Sequence, residues 1–111
     1  MAWAWQAHRG SANNKTSSTS IGVSPSAVIQ VNDLLLVRVA SDNLATVDGE
    51  SNDHTSVTDN KGNSYTKLRE HTKASGGAAA GVTVSMFMSK ITTQLEVADT
   101  VTVNFSAAIA A

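Results

Sequence analysis

Val57-Thr58-Asp59-Asn60-Lys61-Gly62-Asn63-Ser64-Tyr65-Thr66-Lys67-Leu68 decides the fold class. A Thr/Val segment runs into Asp59-Asn60-Lys61-Gly62-Asn63, and a second segment opens at Tyr65. Asn and Gly tolerate the positive φ angles of a tight turn. Tyr and Thr suit a pleated, half-buried strand. The stretch predicts a β-hairpin with Asp59, Asn60, Gly62 and Asn63 as its turn residues.

Downstream, His71–Gly81 is a Gly/Ala-rich flexible connection. Val82–Ile91 then alternates with period two: Val82, Val84, Met86 and Met88 share one face. Thr83, Ser85 and Ser89 share the other, with Phe87 as the exception. Thr92–Asp99 is a turn region. Asp99–Phe105 sets Val101, Val103 and Phe105 against Thr100, Thr102 and Asn104. Ser106–Ala111 is a small apolar tail.

Upstream, Leu34–Ala40 follows an Asn32-Asp33 turn. It is short and rich in branched residues, which favours a central strand covered on both faces over a helix. Ser41–Ser56 is polar, carries Asp42, Asp48, Glu50 and Asp53, and is expected to project as a loop. Residues 9–20 form a loop or loosely held edge, with a short strand at Ile21–Val23. Residues 2–8 are expected to form a terminal strand, with Trp3 and Trp5 on the same side. About six short strands separated by turns predict an all-β fold: a small antiparallel β-sandwich, immunoglobulin-like or jelly-roll-like, in one domain spanning 1–111.

The chain has 111 residues, no cysteine, a net charge of -1 and 15% charged residues. Thiolate zinc sites, disulfides and a Cys nucleophile are therefore excluded. The eight Lys and Arg are scattered, so neither nucleic acid nor a membrane is an expected partner. No run approaches the length of a membrane span, and Met1–His8 does not read as a secretory signal.

No residue pattern announces catalysis, and no catalytic residue, cofactor or metal is expected. His8, His54 and His71 lack metal-pair spacing. His54 stands beside Asp53, but a solvated loop histidine is the preferred reading. The acids between Asp42 and Asp59 lack the EF-hand register, so a plain solvated loop is preferred to a calcium site. There is no Gly-x-Ser-x-Gly elbow, and Gly76–Gly81 lacks the Lys and Ser/Thr of a phosphate loop. Trp3 and Trp5 divide evenly between core closure and an aromatic platform or docking anchor. The tail 106–111 is read as a strand to be added to a partner's sheet edge, with a frayed terminus as the plain alternative.

The segments Asn32–Ala40, Val57–Leu68, Val82–Ile91 and Asp99–Phe105, in that order, resemble β-sandwich modules of tailed-bacteriophage structural proteins. The likeness spans roughly residues 30–106 and is one of strands and turns. It implies a virion component: a capsid decoration, tail or fibre protein in contact with other virion proteins, as a homo-oligomer or multi-copy assembly. Similar modules often continue with a further strand, so a partner is expected to supply any missing pairing. Trp3, Trp5, Phe105 and Ile109 are the candidate interface residues. The alternative is a carbohydrate- or host-receptor-binding module using Trp3, Trp5 or Tyr65 for stacking and the Ser41–Ser56 loop for polar contacts.

Overall fold

The computed structural model describes residues 4–111 and contains six strands. They are β1 (Ser18–Val23), β2 (Leu34–Asp42), β3 (His54–Asp59), β4 (Thr66–Lys73), β5 (Val82–Lys90) and β6 (Val101–Ile109). All pairings are antiparallel, and two three-stranded sheets result, ordered β1-β6-β3 and β2-β5-β4. The expected all-β sandwich is the architecture found, with no helix among the described residues.

The winding is set by which neighbours in sequence also pair. Only β4 and β5 do; every other consecutive pair of strands lies in opposite sheets. A ribbon of strand pairs wound in this way is the jelly-roll solution, here with six strands, rather than an immunoglobulin arrangement. The core between the sheets contains Ile29, Val57, Phe87, Ile91, Leu95, Val101, Val103, Phe105 and Ile109. Leu35, Val37 and Val39 pack against it from β2. Burying side chains of this kind contributes about 1.5–3 kcal/mol each.

Several expectations are corrected. Val57–Leu68 does turn, but not into a hairpin. β3 pairs with β6 and β4 pairs with β5, so the chain arches from one sheet to the other. The hairpin lies one connection later, between β4 and β5, and strand pairing extends through His71, Thr72 and Lys73. β2 is an edge strand with alternate residues exposed, not a central strand covered on both faces. β1 begins at Ser18, within the stretch expected to be a loop.

The tail is occupied within its own molecule. β6 runs to Ile109, and Ala111 exchanges backbone hydrogen bonds with Asn14 in both directions. The Asp42 N–H donates to the Ala110 carbonyl at 3.0 Å. The Gly/Ala connection after β4 is also pinned. The buried Asn43 amide donates to the carbonyls of Ala45 and Gly77 and accepts from the Gly81 N–H. Gly81 passes so close to the Lys73 carbonyl that a Cβ would lie 1.8 Å from its oxygen, a space only glycine can occupy.

Candidate functional site

Three features carry chemistry: a polar cluster inside the sandwich, the arch joining the sheets, and the outer face of sheet β2-β5-β4.

The interior cluster forms because β5 turns Thr83, Ser85, Phe87 and Ser89 inward. It faces Glu70 and Thr72 of β4 and the segment leading into β3. Ser41–Ser56 therefore does not simply project. Ser41, Asn43, Asp53 and His54 are buried, and His54 is 0% exposed. The solvated-histidine reading is overturned, because hydroxyl partners on two strands flank the ring. Ser41 Oγ lies 2.8 Å from Nε2, and Ser85 Oγ lies 2.6 Å from Nδ1. The ring also tilts against Phe105, with centroids 5.4 Å apart.

The proton positions follow from the partners. The Ser41 hydroxyl donates to the Asp42 carbonyl at 2.8 Å, so it must accept from the imidazole. Nε2 thus carries the hydrogen, and Nδ1 accepts from Ser85. With its only lone pair so engaged, His54 cannot draw a proton from Ser41, as a general base paired with a serine nucleophile must. Burial lowers the imidazole's proton affinity and outweighs the pull of Glu70 and Asp53. His54 is accordingly neutral at neutral pH and acts as a cross-strand hydrogen-bonding bridge.

Glu70, 1% exposed, organises the backbone beneath it. Oε1 accepts from the Ser51 N–H, the Ser51 hydroxyl and the Asp53 N–H at 3.0–3.2 Å. Oε2 accepts from the His54 N–H and from Lys67 Nζ, both at 3.1 Å. Burial alone would raise its pKa; the donors, led by the His54 N–H and Lys67, reverse that and hold it below the usual value. Asp53 behaves alike. Burial opposes its charge, but the Thr83 hydroxyl and the N–H groups of Leu44 and Ala45 bring its pKa down. Carboxylates engaged in this way, Glu70 through both oxygens and Asp53 through Oδ2, are structural fixtures. Among the described residues, no three His, Cys, Asp or Glu side chains converge as a metal-binding group.

The arch holds the four predicted turn residues. Asp59 Oδ1 accepts from the N–H groups of Lys61 and Asn63, and its Oδ2 accepts from the Tyr65 hydroxyl at 2.7 Å. Gly62 has φ 79°, the left-handed conformation its lack of a side chain permits. Asn63 Oδ1 accepts from the N–H groups of Thr92 and Thr93, both at 2.9 Å. Asn60 donates to Asp99 Oδ1 and accepts from the Thr100 N–H. Asp59 and Gly62 thus shape the β3–β4 arch, and Asn60 and Asn63 lock it to the β5–β6 connection. The Tyr65 ring is half-buried against the core and its hydroxyl is tied to Asp59.

The candidate interface residues divide. Phe105 and Ile109 are buried in the core. Trp5 is 81% exposed and lies outside any strand; no strand covers residues 4–8. Trp3, and with it the start of the expected 2–8 strand, lies outside the described residues.

The exposed apolar surface lies elsewhere. Sheet β1-β6-β3 presents a polar exterior, with Asn104 donating to Ser56 across the strands and Thr102 beside it. Sheet β2-β5-β4 does the reverse. Leu34, Leu36, Leu68, Val82 and Val84 are each 41–47% exposed, and Met86 and Met88 stand half-buried among them on β5. An antiparallel sheet usually turns its polar alternation to water. Here β5 has turned its hydroxyls inward to serve Asp53 and His54, and so must turn its Val and Met side chains outward. Period-two alternation sorted these residues into faces but carried no signal of which face lies inside.

No family model matches the chain, and no significant match arises among curated proteins or solved structures.

Proposed function

We propose that this chain is a non-enzymatic structural subunit that works by docking onto other proteins, as a capsid decoration or tail-associated component of a phage particle. The particle setting comes from the sequence resemblance. The docking role rests on one observation, the aliphatic exterior of sheet β2-β5-β4. An apolar patch of several hundred Å² on a small protein marks an interaction surface. Three strands at about 4.8 Å spacing and roughly 27 Å of shared length give a footprint of about 400 Å². Two such footprints total about 800 Å², at the weak end of specific interfaces. A contact of that size holds well when many copies act together, which is how a particle subunit works. The jelly-roll winding agrees with this role only by analogy, since one fold serves many functions.

The test is association. Particles that incorporate the wild-type chain, detected by mass spectrometry after gradient purification, should exclude a folded Leu36→Ser/Val84→Ser variant. Both side chains point outward, so the variant keeps the core. A wild-type chain that is absent from particles and stays monomeric at millimolar concentration would sink the proposal. The alternative, a carbohydrate- or host-receptor-binding module, is favoured by a single observation, the exposed Trp5 ring. It requires glycan-array binding that Trp5→Ala abolishes.

A further inference from the structure

Resting on that docking role, we infer that the surface covering sheet β2-β5-β4 is an acidic amphipathic α-helix of a partner protein, lying along β5. The apolar face is not uniformly apolar. Arg38 on β2 and Arg69 on β4 both pair in register with Met86 of the central strand, so one arginine stands on each side of it. Both are exposed, and neither forms an ion pair among the described residues. His71 continues the margin on β4, where Lys73 is already paired with Asp48, and Lys90 closes one end of β5. Asp42, at the end of β2, is the one acid supplied by these three strands to the face, and Asp48 reaches its margin at Lys73. A chain with a net charge of -1 has thus gathered positive charge around its stickiest surface.

The spacing selects the occupant. Arg38 and Arg69 are two strand spacings apart, about 10 Å at 4.8 Å per strand. An α-helix with its side chains is about 10–12 Å across. Its apolar stripe would rest on Val82, Val84, Met86 and Met88, with Leu36 and Leu68 on its flanks. Carboxylates on both sides of that stripe would meet Arg38 and Arg69, whose planar forks suit them. A shallow depression already opens here, bordered by Arg38, Ala40, Arg69, His71, Val84 and Met86. A second copy set face to face would instead bring a basic surface against a basic surface, which disfavours self-docking.

The experiment titrates the full chain with a synthetic 18-residue amphipathic helix whose Leu stripe is flanked by Glu, and with the same peptide flanked by Lys. Amide chemical shifts report the site, and anisotropy of a labelled peptide reports affinity. The Glu peptide should bind at least tenfold tighter than the Lys peptide, shift β5 amides and weaken with salt. Arg38→Glu/Arg69→Glu should reverse the preference, a gain that a misfolded variant could not show. Equal binding of the two peptides would overturn the charge-matched helix. So would tighter binding to phosphatidylglycerol vesicles than to the Glu peptide, or a self-association that excludes the peptide. If neither peptide binds while particle uptake still depends on Leu36 and Val84, this occupant is wrong and the docking role stands. If particle uptake is also absent, the docking role fails with it.

Discussion

Replacing Glu70 by Gln keeps the shape of the side chain and removes its charge. The carboxylate accepts five hydrogen bonds, three of them from the backbone N–H groups of Ser51, Asp53 and His54. An amide can aim its oxygen at only one of the two donor sets. If the nitrogen faces His54 and Lys67, the His54 N–H loses its acceptor and Lys67 loses its counter-ion. If it faces the other way, the N–H groups of Ser51 and Asp53 are stranded. A buried donor left without a partner costs about 1–3 kcal/mol. The lysine side chain is 18% exposed and keeps some access to water, so its loss falls below the full figure for a buried pair. The expected destabilisation is about 3–5 kcal/mol, a large share of the roughly 5–15 kcal/mol typical of a domain. At an m-value of about 1.5 kcal/mol/M, the urea midpoint followed by circular dichroism should fall by roughly 2–3 M. Glu50→Gln, on an exposed residue, should stay within about 0.5 kcal/mol of wild type. The acid limb supplies an internal check. The pKa of Glu70 is lowered on folding, so its stabilisation is present above the unfolded value and lost as pH falls through the folded one. Glu70→Gln should flatten that loss. A Glu70→Gln protein within about 1 kcal/mol of wild type would refute the view that this carboxylate organises the β3 entry.

Three other outcomes are expected. In the folded state, burial holds the pKa of His54 below the usual 6.5 or so of a histidine, so the unfolded chain takes up the proton first as pH falls. Stability should drop from about pH 6.5 downward, and His54→Gln should remove that slope from urea titrations across the range. Ser89→Ala should be neutral or stabilise by up to about 1 kcal/mol in thermal melts, because Ser89 Oγ is buried with no hydrogen-bond partner among the described residues. Asn63→Ala should cost about 2–4 kcal/mol in chemical denaturation, since it strands the N–H groups of Thr92 and Thr93 and leaves Asn60 alone to hold the arch to the β5–β6 connection.

How far the fold was legible depends on the range of the interactions that decide each part. β5 was readable because alternation over nine residues is a local signal, and β6 was readable over Val101–Phe105 for the same reason; its continuation to Ile109, where alternation breaks, was not. The partner of β3 was not. The positive-φ residue Gly62 and the side-chain turn of Asp59 serve a hairpin or an arch equally well. The choice is made by Asn60 and Asn63 reaching residues 92–100, about thirty to forty positions away. The interior cluster was hidden for a related reason. Nothing near Asp53-His54 in sequence says that Ser85 and Glu70 will close over them. A usable signal did exist in β5, where three hydroxyls and one Phe share a face. Three hydroxyls alone are what a solvent-facing strand shows, so the large apolar Phe87 among them is the one hint that this face lies inside. The aliphatic exterior then follows as its complement.

The position of β6 bears on how the molecule is made. It lies in the middle of its sheet, between β1 and β3, and pairs Ser18 with Ile109. A ribosome therefore delivers both borders of that sheet long before the strand that joins them. Until residue 109 has emerged, β1 and β3 have no partner, and a growing chain with such bare borders is open to misassociation. Closure across so many intervening residues is slow, and slower for β-pairing than for local structure. Cells making this protein should then benefit from holdase protection late in translation, and stalling before residue 101 should yield material that a protease degrades throughout.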